Sequence, residues 1–113
     1  MEKETLKKEI KPQDKVFSEH IQSIRPFEFN EKVAHVFDDM AERSIPFYKE
    51  VQKMVTGLAL TFFQNGTNIY DLGSSTATTI SLISQGLKDH NIKDYTIFGI
   101  DSSSAMCREA EVK

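Results

Sequence analysis

The stretch Tyr70-Asp71-Leu72-Gly73-Ser74-Ser75-Thr76-Ala77 constrains the fold more than any other part of this sequence. The short segment 67–72 is apolar at its centre and meets a glycine and two serines, after which the apolar residues recur at helical spacing. This change of period predicts a buried strand that passes through a tight turn into a helix beginning near Thr76.

A second strand is predicted downstream, over residues 95–100, and it ends at Asp101. The serines at 102–104 are suited to cap a last helix. Strand, helix, strand and helix in this order predict a βαβ unit, with parallel strands joined by a right-handed crossover. The fold class expected is α/β, with a partial Rossmann-like parallel sheet.

Two helices are predicted before the first strand. Asn30 is a capping residue ahead of an apolar stripe that ends near Arg43. Ser44 before Ile45-Pro46 is a second helix start, and apolar residues continue at helical spacing up to Asn65-Gly66. Those residues are Tyr48, Val51, Val55, Leu58 and Phe62.

Three regions follow from this pattern. Residues 1–15 are expected to form a flexible charged arm, and residues 16–66 a helical layer that opens with an extended strap over 16–29. Residues 67–113 are expected to be the first βαβ part of a ligand-binding domain. Two parallel strands leave both sheet edges unpaired, so we expect the chain to be an N-terminal piece of a longer protein.

Composition narrows the class of function. The 113 residues carry a formal net charge of −3, which does not support a surface for nucleic-acid backbones or anionic lipid. Cys107 is the single cysteine, and His20, His35 and His90 stand too far apart for a zinc motif, so no metal is expected. No leader-like or membrane-spanning apolar run occurs, and a cytoplasmic protein is expected.

The strand ends outline a candidate nucleoside site. Gly73 lets the backbone approach a ligand closely, and the N–H groups at the helix start are donors for an anion. A carboxylate at Asp101 is placed to accept both hydroxyls of a ribose. Ser75 and Thr78 replace the later glycines of the dinucleotide fingerprint, which disfavours a pyrophosphate and favours an adenosine with a compact charged tail, such as S-adenosylmethionine.

Each of these residues also has a purely structural interpretation. Ser75 is a possible helix cap, and Asp101 a possible cap of the last helix. Tyr48 lies on an apolar helical stripe and is a candidate core residue. Arg43 fits a helix-dipole partner, whereas His35 fits a solvated histidine. Cys107 fits a small packing residue.

Several segments resemble the N-terminal half of the carboxy-S-adenosylmethionine synthase family. The resemblance covers residues 14 to about 110, and its specific part is the helical block before the first strand. The segments that carry it are Asp14-Lys15-Val16-Phe17-Ser18, the run from Phe29 to Met40, Arg43-Ser44-Ile45-Pro46-Phe47-Tyr48, Gly66-Thr67, Tyr70 to Ser75, and Asp101 to Met106.

The resemblance implies a class I methyltransferase-type fold in a homodimer that transfers a carboxyl group from prephenate to the methyl carbon of S-adenosylmethionine. The product then serves a separate enzyme that modifies the tRNA wobble uridine. The resemblance places Gly73, Ser74 and Ser75 at the methionine part of the ligand, Asp101 and Ser102 at its ribose and adenine side, and Tyr48 over the site from the helical layer. No catalytic residue is assigned.

The chain departs from the family at two positions and in its extent. The family usually has Cys where this chain has Ser74, and Gly where it has Ala77, whose methyl group narrows the approach to the ligand. The family's adenine-holding residues, and an arginine from the neighbouring subunit, lie in a half this chain lacks, so the chain alone is expected to be inactive. Two other functions stay open, namely an ordinary S-adenosylmethionine-dependent methyltransferase and a non-catalytic interaction module.

Overall fold

A computed structural model of the chain describes residues 11–20, 23 and 26–113. Most of the predicted charged arm, residues 1–10, lies outside the described residues, as do residues 21, 22, 24 and 25 of the predicted strap. The described part of residues 11–29 contains no helix or strand, and within it the Asp14 N–H donates to an Asp39 carboxylate oxygen at 2.5 Å.

The first helix confirms the sequence prediction. Helix α1 spans Glu31–Ser44, and the side chain of the preceding Asn30 accepts a hydrogen bond from the Val33 N–H at 3.1 Å. This bond satisfies one of the donors that a helix start leaves unpaired. Val33, Ala34 and Ala41 are buried, as the spacing of the stripe predicts.

The second helix differs from its prediction at its start and in the face it buries. Helix α2 spans Tyr48–Phe62, so it begins later than the start signal at Ser44 before Ile45-Pro46 predicts, because Phe47 has a left-handed φ of 55° and breaks the helical path. Gln52 is the residue of this helix that is buried, and its side chain donates to Thr79 Oγ1 at 3.2 Å. The apolar stripe that the sequence pattern suggested for the core is exposed along Val51, Val55, Leu58 and Phe62.

The two strands confirm the α/β fold class. Strand β1 is Thr67–Leu72 and strand β2 is Tyr95–Ile100. They pair in parallel, with Thr67 opposite Tyr95 and Leu72 opposite Ile100. Both strands therefore end at the same edge of the sheet, so the residues that follow Leu72 and Ile100 are brought together.

Two further helices complete the order. Helix α3 spans Thr78–Asp89, and helix α4 spans Ser104–Glu111. The predicted start of α3 near Thr76 is wrong, because Ala77 has a left-handed φ of 63°. Helix α4 begins after Ser103, whose hydroxyl accepts a hydrogen bond from the Met106 N–H at 3.2 Å.

The best-buried cluster of apolar side chains lies between α1 and α4. It contains Val33, Ala34, Ala105 and Met106, with Phe37 and Met40 packed against it. Burial of these side chains fixes α4, and with it the end of β2, against the helical layer. Within the described ranges, no helix is both long and apolar enough to cross a membrane.

Candidate functional site

The turn between β1 and α3 contains three residues in the left-handed region. Gly73 has a φ of 74°, Ser75 of 53° and Ala77 of 63°. Glycine adopts this conformation freely, whereas serine and alanine do so at a cost because of their Cβ atoms. Such a backbone persists only where surrounding contacts hold it.

Hydrogen bonds from the end of β2 hold the first part of the turn. The N–H groups of Gly73 and Ser74 both donate to the Ile100 carbonyl, at 2.7 and 3.0 Å. The Ser75 N–H donates to Asp101 Oδ2 at 2.8 Å. These three N–H groups are thus engaged within the protein, so the turn offers hydroxyl groups and its Gly73 backbone surface to a ligand.

Asp101 joins the turn to the start of α4. Its second oxygen, Oδ1, accepts the N–H of Ser103 at 2.8 Å. A carboxylate oxygen has two lone pairs, so each oxygen retains the capacity to accept one more hydrogen bond. The residues that directly precede α3 and α4 are Ala77 and Ser103, so neither Ser75 nor Asp101 is the helix cap that the structural interpretation proposed.

Two cavities flank the turn. The first, here called the strand-end cavity, has a volume of about 430 Å³, and its walls include Phe29, Gly73, Ser75, Asp101, Ser102 and Met106. The second, here called the tyrosine cavity, has a volume of about 260 Å³, and its walls include Tyr48, Asp71, Gly73, Ser74, Ser75 and Thr76. Gly73 and Ser75 belong to both cavities.

The structure thus brings the six residues selected from the sequence to one place. Asp101 and Ser102 line the strand-end cavity, Tyr48 and Ser74 line the tyrosine cavity, and Gly73 and Ser75 line both. Tyr48 therefore borders a cavity, although it also lies on the apolar stripe of α2. A ligand that occupies both cavities would contact all six residues, through either their side chains or their backbone atoms.

The site is electronegative. Among the described residues that line the two cavities, Asp71 and Asp101 are carboxylates and none is Lys or Arg. Burial, with the nearby charge of Asp101, raises the pKa of Asp71 above its ordinary value. Burial, with the charges of Asp38 and Asp71, likewise raises the pKa of the Tyr48 phenol, so Tyr48 is a neutral hydrogen-bond donor at physiological pH.

Asp38, which the sequence pattern did not single out, holds the second part of the turn. From α1, its Oδ1 accepts hydrogen bonds from the hydroxyls of Thr76, at 2.7 Å, and Thr78, at 2.9 Å. These two residues flank the left-handed Ala77. Burial acts to raise the pKa of Asp38, but hydrogen bonds from Lys113, Thr76 and Thr78 outweigh burial and hold the pKa below its ordinary value.

Phe29 is the second residue that the sequence pattern did not select. It precedes the cap of α1 and lines the strand-end cavity, and its carbonyl accepts the Ser103 hydroxyl at 2.6 Å. A local signal exists, because an apolar residue just before a helix cap commonly packs back onto the helix. Phe29 does so against Phe37, with ring centroids 6.3 Å apart.

The remaining residues weighed in the sequence lie apart from these walls. Arg43 lies near Asp39, at 3.4 Å, in the last turn of α1, and His35 lies 3.4 Å from Glu109. Cys107 is exposed. No three His, Cys, Asp or Glu side chains in the described part of the chain are placed to hold a metal ion.

Gly99 of β2 lets the turn approach the sheet closely. A Cβ atom added there would lie 2.6 Å from Ile80 Cδ1 and 2.9 Å from Ser74 Oγ. Both distances are too short for non-bonded atoms, so a side chain at residue 99 would require the side chains of Ile80 and Ser74 to shift.

Curated proteins similar to this chain include carboxy-S-adenosyl-L-methionine synthases from several bacteria. The chain is 48% identical over 100 residues to the carboxy-S-adenosyl-L-methionine synthase of Sulfurimonas denitrificans, a match that covers 88% of this chain and 40% of that protein. It is 42% identical over 104 residues to the synthase of that name from Helicobacter hepaticus, covering 88% and 41% respectively. For the Methylococcus capsulatus protein the identity is 38% over 100 residues, covering 88% and 40%.

These matches confirm the resemblance found in the sequence. The chain spans about 40% of the length of the curated relatives it matches. No protein-family model matches the chain. The chain is therefore related to a part of the carboxy-S-adenosyl-L-methionine synthases, which are enzymes.

Proposed function

We propose that this chain is the S-adenosylmethionine-binding part of a carboxy-S-adenosylmethionine synthase, whose full-length form transfers a carboxyl group from prephenate to S-adenosylmethionine. The relatives at 38–48% identity support the class of enzyme. The observation that supports the ligand is the electronegative pair of cavities, which share Gly73 and Ser75.

The charge of the cavities suits S-adenosylmethionine better than a nucleotide. The ligand carries a sulfonium, an ammonium and one carboxylate, so its net charge is positive at neutral pH. Walls that contain Asp71 and Asp101 without Lys or Arg attract such a cation and repel a pyrophosphate. The neutral phenol of Tyr48 adds a donor without a competing charge.

The two cavities divide the ligand between them in this proposal. Asp101 and Ser102 face the ribose and adenine side in the strand-end cavity. Tyr48 and Ser74 face the methionine side in the tyrosine cavity, and Gly73 with Ser75 contact the ligand where it passes from one to the other. Asp101 is already oriented by the N–H groups of Ser75 and Ser103, so it accepts ribose hydroxyls with little reorganisation.

The proposed chemistry follows from the sulfonium. Its positive charge makes the methyl protons acidic, and loss of one leaves an ylide carbon. The carboxyl group on the ring of prephenate leaves as carbon dioxide, and the ylide carbon forms a bond to that carbon dioxide. The electron pair that remains on the ring expels the ring hydroxyl group as hydroxide. The hydroxide takes up the methyl proton as water, and the ring becomes phenylpyruvate. The protein's share is to position both reactants and to exclude competing water.

The wider role is part of the same proposal. The carboxylated product is passed to a separate enzyme that modifies the wobble uridine of tRNA, so this protein itself needs no contact with nucleic acid. We place it in the cytoplasm, without membrane association, as a homodimer.

A product assay with the full-length protein tests the proposal. S-Adenosylmethionine and prephenate are incubated with the enzyme, and the products are identified by mass spectrometry, with reactions lacking prephenate as the control. We expect a product heavier than S-adenosylmethionine by one carboxyl group, together with phenylpyruvate. Formation of S-adenosylhomocysteine and a methylated acceptor, without the carboxylated product, would instead identify an ordinary methyltransferase.

A further inference from the structure

We propose that Phe29 is a ligand-contacting residue whose ring packs on the nucleoside part of S-adenosylmethionine in the strand-end cavity. This inference rests on the proposed function above. Phe29 shares the cavity with Asp101, and 50% of its surface is exposed. An aromatic ring left half exposed in the wall of a cavity gains free energy when a ligand covers it.

The backbone of Phe29 is tied to the carboxylate that faces the same cavity. The Ser103 hydroxyl donates to the Phe29 carbonyl at 2.6 Å, across 74 residues of sequence. The N–H of Ser103 donates to Asp101 Oδ1 at 2.8 Å. One serine therefore fixes the distance between the aromatic wall and the carboxylate.

The ring of Phe29 is also held by residues close to it in sequence. It packs edge-on against Phe27, with centroids 5.0 Å apart, and against Phe37 of α1, with centroids 6.3 Å apart. The next residue, Asn30, caps α1 through the Val33 N–H. Phe29 is therefore placed by a helix start and by two aromatic neighbours, and its orientation does not depend on the ligand.

The wall of the strand-end cavity has polar and apolar residues that match the polar edge and the apolar faces of a nucleoside. Asp101 and Ser102 are suited to the polar edge of the ribose. Phe29, Ile100 and Met106 are apolar and are suited to the faces of the purine and the sugar. Without Phe29, the described part of this wall would lose its aromatic member, and affinity would fall for the nucleoside in particular.

Calorimetric titration of the full-length protein tests the proposal, with S-adenosylmethionine and, separately, adenosine as the titrants. Phe29→Ala should weaken binding of both by about tenfold, the effect of losing an aromatic contact. Phe17→Ala is the matched control, because Phe17 is 72% exposed and belongs to the same aromatic row but does not line the cavity. Its affinity should stay within about twofold of wild type, since exposed positions away from a site contribute little.

Ser103 provides the second set of variants. Ser103→Ala removes both the hydrogen bond to the Phe29 carbonyl and the cap of α4, and should weaken binding of both titrants, whereas Ser103→Asp keeps an acceptor for the Met106 N–H but has no donor for Phe29 and should not restore affinity. Ser103→Thr retains the hydroxyl for both bonds and should restore affinity. Thermal melting of each variant reports whether it folds, and Phe29→Leu replaces Phe29→Ala if the latter does not.

The outcomes separate the two claims. A wild-type protein that binds neither titrant would contradict the proposed function itself. A wild type that binds, with Phe29→Ala or Phe29→Leu binding as tightly, would overturn the role of Phe29 alone. Equal losses in Phe17→Ala and Phe29→Ala, or a loss seen with S-adenosylmethionine but not with adenosine, would also overturn it.

Discussion

The carboxylate of Asp101 accepts the backbone N–H of Ser75 at 2.8 Å, across 26 residues of sequence. Ser75 has a φ of 53°, a conformation that serine rarely adopts without such support. The same carboxylate lines the strand-end cavity. One side chain therefore both shapes the turn and faces the proposed ligand.

Loss of the Asp101 carboxylate should reduce both ligand affinity and stability. We predict that Asp101→Ala in the full-length protein weakens S-adenosylmethionine binding by at least about tenfold, because charge-assisted hydrogen bonds to the ribose are lost. Its melting temperature should also fall, since the N–H groups of Ser75 and Ser103 lose their acceptor. Calorimetry and thermal denaturation measure the two effects, and Asp94→Ala, which precedes β2 at the opposite end of the sheet, is the control. An unchanged dissociation constant for Asp101→Ala would rule out the ribose role.

Replacement of Ala77 by glycine should stabilise the protein. Ala77 has a φ of 63°, and relief of this left-handed strain is worth about 1–2 kcal/mol, which exceeds the roughly 0.4–1 kcal/mol that the greater flexibility of glycine costs through the unfolded chain. Ala59 lies within α2, where Ala59→Gly should instead cost about 0.5–1 kcal/mol. Urea denaturation of both variants compares them directly, and equal destabilisation by the two substitutions would contradict the strain at Ala77.

Asp38 should make the protein sensitive to acid. Its pKa in the folded state is held below the ordinary 3.8, so the ionised carboxylate stabilises the fold. This contribution is present above pH 3.8 and is lost as the pH falls through the lower folded-state value. We predict that Asp38→Asn reduces stability at neutral pH and flattens the loss of stability below pH 3.8. Urea titrations across this range measure it, and Asp89→Asn, at an exposed position at the end of α3, is the control.

The 113-residue chain alone should not turn over prephenate. Both cavities border a sheet of two strands, and the chain spans about 40% of the length of its relatives. We therefore expect the cavities of this chain alone to stay open to solvent, so that water competes for every hydrogen bond to the ligand. The unpaired strand edges and the exposed stripe of α2 should favour self-association. Incubation with both substrates, followed by mass spectrometry, tests the activity, and size-exclusion chromatography tests the association. Multiple turnovers by the isolated chain would show that these residues suffice.

Much of the fold could be predicted because its signals are local. Both strands begin and end where the sequence pattern places them, since each is a short segment with apolar residues at its centre and turn residues beyond it. The prediction that the first strand is buried is wrong for this chain, because Tyr70 and Leu72 are exposed on a sheet of two strands. Helix α1 was also predicted correctly, because Asn30 and the apolar stripe are contiguous in sequence. The candidate site followed from the parallel topology, which brings Gly73 and Asp101 to the same edge.

The backbone conformation of the turn and the buried face of α2 could not be predicted, because distant residues decide them. The left-handed conformations of Ser75 and Ala77 are supported by Asp101 and Asp38, which no local propensity reveals. Helix α2 packs on α3 through Gln52, a polar residue, so the apolar period misidentified its buried face. The roles of Asp38 and Phe29 likewise depend on contacts across 38 and 74 residues.

The absence of a side chain at Gly99 ties two distant positions together in evolution. A methyl group there would meet the ends of the Ser74 and Ile80 side chains, so a lineage that acquires alanine at 99 must also rotate, shift or replace these side chains. Positions 74 and 99 are thus expected to covary among related sequences, with glycine retained at 99 wherever the turn lies as close to the sheet as it does here.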